Sequence, residues 1–358
     1  MRIDQLTFTR FLAAIAIVSY HYARETVLFT HESIDFIFKH AYLGVSYFFV
    51  LSGFVMVIAY QNKGRISFFS YLKNRIARIV PLYLFALVAC MIIDKSLGYD
   101  KLDIIYTFIL IQSWIAGKGL VINFTAWSLS VEFFFYAMFP FLTNWIYQKW
   151  ELKNISIALS LFWIASQILH ILIIENMVEF PYYIERDLRY HPIMHFNSFL
   201  IGNLTGLIFL KYRNQLNKLG NIYLSLLLVS LIFFSFRMEI VKYFHNGILS
   251  PLMAVLVLTI ALNEKPLANF FNKNIFLFLG EISFGIYILQ KPVWSLLANL
   301  NLEAHLERLY ITNVNALFSI RLLILITISM ITYKLIEIPM QQLIKKNWNF
   351  NFFKTLKD

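Results

Sequence analysis

The 358-residue chain is poor in charged residues and rich in apolar ones. Only 14% of its residues are charged, whereas 59% are apolar and 18% are aromatic, with 36 Phe and 20 Tyr. A soluble globular protein carries roughly 25% charged and about 45–50% apolar residues. The composition therefore excludes a compact water-soluble enzyme or DNA-binding domain and indicates an integral membrane protein.

Cysteine and the common nucleotide and metal motifs are also scarce. Cys90 is the single cysteine and lies in an apolar run, which excludes a disulfide framework and a CxxC metal or redox site. The sequence contains no Walker A loop and no GxGxxG, HExxH or GxSxG pattern, so an ATP-driven pump, a dinucleotide enzyme, a zinc protease and a serine hydrolase have no support. Aromatic residues are not interleaved with basic ones, so we expect no nucleic-acid partner. Because the metal-binding motifs are missing, we also expect no metal.

Eleven apolar segments are candidates for membrane-spanning helices. They cover residues 6–23, 41–60, 79–93, 104–115, 127–146, 155–174, 194–210, 221–236, 248–262, 275–297 and 316–337. The segment 104–115 is too short to cross a hydrocarbon core of about 30 Å. We predict that it is re-entrant or lies at the membrane interface, and that the other ten segments span the membrane.

The net charge is +11, and the distribution of the basic residues among the loops indicates how these spans are oriented. Loops on the cytoplasmic side carry an excess of Lys and Arg. With ten spans and a cytoplasmic N-terminus, the basic loops at 63–78 and 211–218 and the basic C-terminal tail all lie in the cytoplasm. The predicted fold is an all-α integral membrane protein with about ten transmembrane helices and both termini cytoplasmic. Residues 1–340 form one transmembrane domain, and residues 341–358 form a basic cytoplasmic tail.

The first helix carries two ionisable side chains, Arg10 and His21. They are eleven residues apart, which puts them on one helix face with about 16 Å between them along the axis. Charged groups inside a membrane are costly and are therefore candidates for function. Arg10 is expected toward the cytoplasmic end and His21 toward the outer end. The alternative is that Arg10 reaches lipid phosphates and His21 is a hydrogen-bonded residue at a helix interface.

Two motifs in the next helices have both a functional and a structural interpretation. Ser52 and Gly53, in the middle of a span, allow close helix packing, which is the simpler interpretation, or a break that lines a cavity. Arg75 and Arg78 lie on one face and open the third helix at its cytoplasmic end, shortly before Pro81. Arginine binds phosphate in a bidentate manner, so the pair suits a phosphorylated cytosolic ligand. Ordinary anchoring of a cytoplasmic loop is the simpler alternative.

Glu132 lies in the motif Trp127-Ser-Leu-Ser-Val-Glu132, at the start of a helix that runs from outside to inside. It is expected at the outer level, beside His21. A carboxylate next to an imidazole fixes the imidazole tautomer and raises its basicity, as in a general base. We therefore expect Glu132 to orient His21.

Four further ionisable side chains lie inside predicted spans. They are Glu281, Lys291, Arg321 and Glu337. Arg321, near the outer end of the last span, is an alternative ion-pair partner for Glu132, which would give Glu132 a structural role. The two glutamates lie nearer the cytoplasm and are expected to pair with Arg or Lys of neighbouring helices.

Six motifs, each common alone, occur in order along the chain. They are Arg10 with His21, Phe48-Phe-Val-Leu-Ser-Gly53, Arg75-x-x-Arg78 with Pro81, Trp127-Ser-Leu-Ser-Val-Glu132, Ile282-Ser-Phe-Gly-Ile-Tyr287 and Glu337-Ile-Pro339. Together, over residues 4–340, they resemble the acyltransferase-3 family of bacterial membrane O-acyltransferases. Two positions depart from the family pattern, since Ser46 stands where Asp is frequent and Gln290 stands where a His commonly follows. Both departures concern substrate contacts rather than the reaction.

The resemblance implies transfer of an acyl group, usually acetyl from cytosolic acetyl-CoA, to a hydroxyl of a glycan or its lipid-linked precursor. It also implies a multi-pass protein of the bacterial cytoplasmic (inner) membrane. Essential residues of the family correspond to Arg10, His21, Ser52, Gly53, Arg75 and Arg78. The resemblance thus implies catalytic roles for Arg10 and His21, to which we add Glu132, and donor binding by the other four.

The expected mechanism combines this resemblance with the topology. The phosphates of acetyl-CoA bind Arg75 and Arg78, the pantetheine arm passes Arg10, and His21 removes a proton from the acceptor hydroxyl at the outer side. Ser52 or the backbone at Gly53 supplies an oxyanion donor. The alternative function is a membrane transporter or exporter of a glycan or small molecule that uses intramembrane His and Glu. No SGNH-type extracytoplasmic domain is recognisable, which disfavours an architecture that depends on one.

Overall fold

The apolar segments fold as helices because a chain in a hydrocarbon core must satisfy its backbone polar groups internally. The computed structural model describes residues 3–60, 63–178, 180, 183–263 and 267–347. Within these ranges the chain forms α-helices, short 3₁₀ helices and two π turns, and no β-strand. Most of the predicted tail, residues 348–358, lies outside the described residues.

Most helix boundaries lie within a few residues of the ends of the apolar runs, and the exceptions are the start of α5, the segment 104–115 and a break within 275–297. The first nine helices are α1 (Gln5–Tyr22), α2 (Val27–Thr30), α3 (Asp35–Lys39), α4 (Gly44–Tyr60), α5 (Phe68–Ile93), α6 (Lys101–Phe108), α7 (Trp127–Leu142), α8 (Leu152–Ile174) and α9 (Glu185–Leu188). The other nine are α10 (Pro192–Tyr212), α11 (Ile222–Ser235), α12 (Ser250–Leu262), α13 (Leu267–Phe271), α14 (Asn274–Glu281), α15 (Ser283–Asn299), α16 (Leu302–Glu307), α17 (Val314–Thr332) and α18 (Ile338–Asn347). The π turns, Thr143–Tyr147 and Tyr333–Glu337, continue α7 and α17.

Six segments of the described chain are long and apolar enough to cross a membrane. They are Ala41–Tyr60, Phe68–Ile93, Phe124–Tyr147, Leu152–Ile174, Glu185–Tyr212 and Val314–Lys346. Two bent pairs raise the number to eight if each pair is one span: α11 with Glu239–Asn246, bent by 112°, and α14 with α15, bent by 49°. The prediction of an all-α membrane protein is thus confirmed for the described residues.

Helix α5 begins at Phe68, eleven residues before the predicted segment 79–93, and Pro81 lies in its interior. The prediction that Arg75 and Arg78 open this helix is therefore wrong. The charges of Arg75 and Arg78 lower the hydropathy of the first half of α5. This half is nevertheless helical, because Tyr71 and Ala77 are buried against neighbouring helices. The two arginines lie about 10 and 15 Å from the first residue of the helix and therefore reach into the bundle.

The segment 104–115 does not form a long helix. Helix α6 has eight residues, about 12 Å, and is too short to cross a hydrocarbon core. Tyr83 of α5 donates a hydrogen bond to the carbonyl oxygen of Thr107, and Ser130 of α7 donates one to Leu110 at 2.7 Å. Lys118, in the loop that follows, lies 2.5 Å from Asp103, and this hydrogen-bonded pair raises the pKa of Lys118.

Small residues bring α4 and α10 into the most extensive helix contact of the bundle. A β-carbon on Gly53 would collide with the carbonyl oxygen of Phe199, and one on Gly202 would collide with that of Val50. Close approach of this kind is typical of small residues at membrane helix interfaces. Gly53 therefore has a packing role against α10.

Helix α1 runs through the bundle in contact with α4, α12, α14 and α15. Gly280, near the end of α14, lies directly against the backbone of Thr7, and the chain then bends into α15. This packing surrounds both ionisable residues of α1 with other helices, so neither Arg10 nor His21 is simply a lipid-facing residue.

We expect Gly53→Ala to destabilise the protein by about 1–3 kcal/mol, because the backbone of α10 has to move to admit a methyl group. The measurement is the midpoint of thermal unfolding of the detergent-purified protein. Gly119→Ala is the matched control, since its β-carbon would meet Tyr190 at an ordinary 3.4 Å. Equal midpoints for the two variants would contradict the packing role of Gly53.

Candidate active site

A cavity with charged side chains in its wall lies inside the bundle at the end where α1 begins. Its larger part has a volume of about 360 Å³ and is lined at the mouth by Ile3, Thr7 and Gln341. A smaller part of about 100 Å³ extends inward between α4, α5, α7 and α15. Arg10 and Arg78 line both parts, so the two volumes form one inner cavity around these side chains.

The guanidinium groups of Arg10 and Arg78 have no partner in the described part of the chain. Neither forms a hydrogen bond or an ion pair there. Arg78 is exposed, and it lines the inner cavity from within the bundle. Two unpaired cations in a shared cavity form a site for an anion, and guanidinium groups suit phosphate in particular.

Arg75, by contrast, is enclosed by aromatic side chains. Its guanidinium carbon lies 5.7 Å from the ring centres of Tyr60 and Tyr71 and 5.9 Å from that of Tyr136. It also donates a 3.2 Å hydrogen bond to the hydroxyl of Tyr60. Cation–π contacts from three rings fix this side chain at the wall of the cavity. The Arg75-x-x-Arg78 motif therefore supplies one immobilised arginine and one arginine that is open to a ligand.

Glu132 lies in the inner cavity and not beside His21. Its Oε1 atom accepts a 3.1 Å hydrogen bond from the Ser52 hydroxyl and another from the hydroxyl of Tyr136, one helical turn further along α7. The expectation that Glu132 orients His21 is therefore wrong in this geometry. That expectation rested only on the depth of Glu132 in the membrane, and depth does not reveal that the carboxylate faces α4 and α5.

The expected oxyanion role of the Ser52–Gly53 motif also does not fit the contacts. The single hydroxyl proton of Ser52 is donated to Glu132, and Gly53 packs against α10 on the other side of the helix. Ser52 lines the inner cavity. Gly53 is not among the residues that line it in the described chain.

Two carboxyl groups lie near the mouth of the inner cavity. Glu281 accepts a 2.8 Å hydrogen bond from the hydroxyl of Tyr333. Glu337, in the π turn after α17, is 9% exposed, and its buried Oε1 atom has no hydrogen-bond partner in the described structure. Both lie around the same cavity as Arg10 and Arg78, although within the described residues Glu337 forms no ion pair with either.

His21 lies at the other end of α1 and lines a separate outer pocket of about 300 Å³. The Nδ1 atom of His21 is 2.7 Å from the Oε1 atom of Gln290 on α15. The pocket walls include charged side chains from three segments and aromatic ones. They are Arg24, Glu25, Glu303, Arg321, Tyr22, Trp294 and Phe318. The environment of His21 is therefore polar and open on one side.

A short barrier separates the inner cavity from His21. Tyr287 lines the cavity, and its hydroxyl is 2.7 Å from that of Ser128 and donates to the carbonyl of Thr125 at 3.0 Å. Gln290, the partner of His21, is three residues further along α15, which corresponds to about 4.5 Å of helix rise. The cavity thus ends roughly one helical turn short of the imidazole.

Lys291 and Arg321 have structural partners. Lys291 lies 3.5 Å from Asp94 and also donates a hydrogen bond to the carbonyl of Ile122. Arg321 lies 2.5 Å from Glu303 at the outer pocket, so the alternative pairing of Arg321 with Glu132 is wrong. These contacts account for two of the cations that the sequence places inside spans.

The sequence did not predict the tyrosines around Arg75 (Tyr60, Tyr71 and Tyr136) or Gln290 as the amide partner of His21. Tyr136 stands four residues after Glu132, and the i, i+4 spacing was a usable signal for their hydrogen bond. Gln290 is 269 residues from His21, and nothing local to either residue signals that contact.

The all-α bundle with its two polar sites can be compared with known protein families. The chain belongs to the acyltransferase-3 family: the family model, described as an acyltransferase domain, matches residues 3–334. Members of this class transfer acyl groups, which confirms the predicted family and type of enzyme.

Individual relatives make the similarity more specific. O-acetyltransferase OatA of Staphylococcus aureus is 20% identical over 93% of this chain and 56% of its own length, and peptidoglycan O-acetyltransferase OatA of Listeria monocytogenes is 24% identical over 98% and 57%. Acyltransferase MdmB of Streptomyces mycarofaciens is 30% identical over 39% of each chain. The chain spans little more than half the length of the OatA proteins. No solved structure matches it significantly.

We expect Lys291→Met to destabilise the protein by about 3 kcal/mol, because it leaves the largely buried carboxylate of Asp94 without its cation. The double variant Lys291→Met with Asp94→Asn removes both charges and should recover part of this loss. Thermal unfolding of the two purified variants is the measurement. If the double variant does not unfold at a higher temperature than the single variant, Lys291 and Asp94 do not form a structural ion pair.

Proposed function

We propose that the protein is a membrane O-acyltransferase that moves an acyl group, most simply acetyl, from cytosolic acyl-CoA to a hydroxyl of a cell-surface glycan or its lipid-linked precursor. The observation that carries the proposal is the arrangement along α1. Arg10 shares a cavity with the unpaired Arg78 at one end, and His21 lines a polar pocket at the other. Family membership and the O-acetyltransferase relatives support the acetyl-transfer part.

The proposal requires that the two ends of α1 face opposite sides of the bacterial cytoplasmic membrane. We infer ten spans, made of the six long segments, the two bent pairs, α1 and α12. Both termini are then cytoplasmic, as are the basic loop residues Lys63 and Arg65 before α5 and the basic residues at 211–218. Helix α6 lies at the interface, since Leu102, Ile105 and Phe108 expose half or more of their surface.

The donor enters the inner cavity from the cytoplasm. A phosphate of acyl-CoA is bound by Arg78 and Arg10, whose guanidinium groups form no ion pair or hydrogen bond with a carboxylate in the described chain. Arg75 is fixed by its tyrosines and does not move toward the ligand. Its charge contributes a positive electrostatic potential at the wall of the inner cavity. The pantetheine arm then extends along the cavity toward Tyr287, with its thioester closest to His21.

Glu132 and Ser52 line the part of the cavity through which the arm passes. The carboxylate of Glu132, held by Tyr136 and Ser52, balances part of the arginine charge when the donor is absent. It therefore tunes donor binding and has no role in orienting the base. Gly53 contributes through the α4–α10 packing that holds Ser52 in position.

The acceptor hydroxyl enters the outer pocket. His21 removes its proton, the hydroxyl oxygen attacks the thioester carbonyl, the C–S bond breaks as the C–O ester bond forms, and the CoA thiolate takes up a proton. Donors of Arg24 and Arg321 and acceptors of Glu303 suit the several hydroxyls of a sugar. Rotation of the Tyr287 and Ser128 side chains, with the backbone of α15 held in place by the contact of Asn123 with Ile288, opens the remaining helical turn between the two sites.

The test is acetyl transfer from radiolabelled acetyl-CoA to envelope glycans in membranes that contain each variant at equal amount. His21→Ala should lower the transfer rate by about 100- to 10,000-fold, as expected for loss of a general base. Arg78→Ala should raise KM for acetyl-CoA by about 10- to 100-fold, since it removes a charged hydrogen bond to phosphate.

The matched controls are His31→Ala and Arg65→Ala, at exposed positions that line neither the inner cavity nor the outer pocket. Both should behave like the unmodified protein. Undiminished transfer by His21→Ala would overturn the proposed base. A protein that moves glycan across proteoliposomes without releasing CoA thiol would be a transporter, and the enzymatic proposal would fail.

A further inference from the structure

The hydrogen bonds around Gln290 leave its side-chain amide one orientation. Gln290 is fully buried, and its Nε2 atom donates to the carbonyl oxygen of Tyr287 at 2.7 Å. A carbonyl oxygen can only accept, so the amide nitrogen must face it. The Oε1 atom then faces the Nδ1 atom of His21 at 2.7 Å. Turning the amide around would place two acceptors against each other at Tyr287.

This orientation determines the protonation of the imidazole. The Oε1 atom of an amide can only accept a hydrogen bond, so Nδ1 of His21 must carry the hydrogen. In a neutral imidazole the other nitrogen, Nε2, then has the lone pair. Free histidine ordinarily favours the opposite tautomer, with hydrogen on Nε2. The contact with Gln290 therefore selects the form of His21 that can accept a proton at Nε2.

The segment that holds Gln290 is itself anchored. The hydroxyl of Tyr287 is hydrogen-bonded to Ser128 and Thr125, and the side-chain amide of Asn123 donates to the backbone carbonyl of Ile288 at 3.0 Å. These contacts tie α15 to the start of α7, next to Phe124, whose ring lies edge-on to the His21 ring at 4.7 Å. Gln290 has little freedom to move away from the imidazole.

We propose that Gln290 is a positioning residue that fixes the Nδ1-protonated tautomer of His21 and so keeps Nε2 ready to take the proton of the acceptor. The inference rests on the proposed function, in which His21 is the base. An amide fixes the tautomer without adding negative charge. It therefore does not add a charge that favours the protonated imidazole, whereas a carboxylate at this position would.

Other charged groups face His21 from the elements packed around the outer pocket. They are Arg24 and Glu25 from the loop after α1, Glu303 from α16 and Arg321 from α17. The rings of Tyr20 and Tyr22 lie beside the imidazole on α1 itself. In the described chain, Gln290 alone forms a hydrogen bond with the ring of His21. Substitution of Gln290 therefore changes the tautomer without removing any of these charges.

The first test reads the tautomer directly and does not depend on activity. The full-length protein is labelled with ¹⁵N-histidine, reconstituted in lipid, and its imidazole signals are recorded by solid-state NMR, with the His21 signal identified by its loss in His21→Ala. We expect Nδ1-protonated His21 in the unmodified protein and a shift toward Nε2 protonation in Gln290→Met. Gln112→Met is the matched control, because Gln112 is equally buried but bonds to Ala126.

The second test reads the consequence for catalysis. Gln290→Met should lower kcat for acetyl transfer by roughly 10- to 100-fold with little change in KM for acetyl-CoA, since the base is misoriented and the donor site is intact. Gln290→Glu keeps an acceptor for Nδ1 and should restore most of kcat at high pH. Its activity should fall at a pH about one unit higher than in the unmodified protein, because a carboxylate stabilises the protonated imidazole.

These readouts separate this inference from the proposed function. Nε2-protonated His21 in the unmodified protein, or an unchanged tautomer in Gln290→Met, overturns the tautomer selection whatever the enzyme does. A changed tautomer with unchanged kcat overturns the positioning role. Full activity of His21→Ala overturns the proposed base, while the NMR result for the Gln290–His21 contact still stands.

Discussion

Two guanidinium groups held inside a helical bundle without a carboxylate partner are the constraint around which this structure is built. A charge below the membrane surface is costly unless it is solvated or paired. In the described chain Arg10 and Arg78 have neither an ion pair nor a hydrogen bond, and a cavity of about 360 Å³ surrounds them. The chain reaches this arrangement because α5 begins at Phe68, well before Pro81, and because α1 packs against α4, α12, α14 and α15. Such a site is stable only with water or an anion in it.

The two ends of α1 differ in how their ionisable side chains are held. At one end the cations are open to a ligand, with the neighbouring Arg75 fixed by tyrosines and Glu132 by Tyr136 and Ser52. At the other end His21 meets a neutral amide in an outer pocket. In our account the first arrangement attracts a phosphorylated donor and the second leaves Nε2 of the base able to accept a proton. Only about one helical turn of α15 separates the two, which suits transfer of a small group from one side to the other.

The apolar runs were sufficient to predict an all-α membrane protein and nearly all of its long helices, because the hydrocarbon core leaves a chain few other choices. They misplaced the start of α5, since hydropathy treats an arginine that faces an internal cavity like one that faces the cytoplasm. The pairing of Glu132 with His21 was predicted only from their depth in the membrane, whereas the side chain of Glu132 points to Ser52 and Tyr136. The Gln290 contact joins residues 269 positions apart, so it depends on tertiary packing that no local pattern encodes.

The most direct test of the account is the sidedness of donor use. Sealed membrane vesicles of both orientations, containing equal amounts of the protein, are supplied with radiolabelled acetyl-CoA on the outside only, and label in envelope glycan is measured. The account predicts transfer in inverted vesicles, whose cytoplasmic face is accessible, and none in right-side-out vesicles until they are permeabilised. Equal transfer in sealed right-side-out vesicles would contradict a cytoplasmic donor site at Arg10 and Arg78.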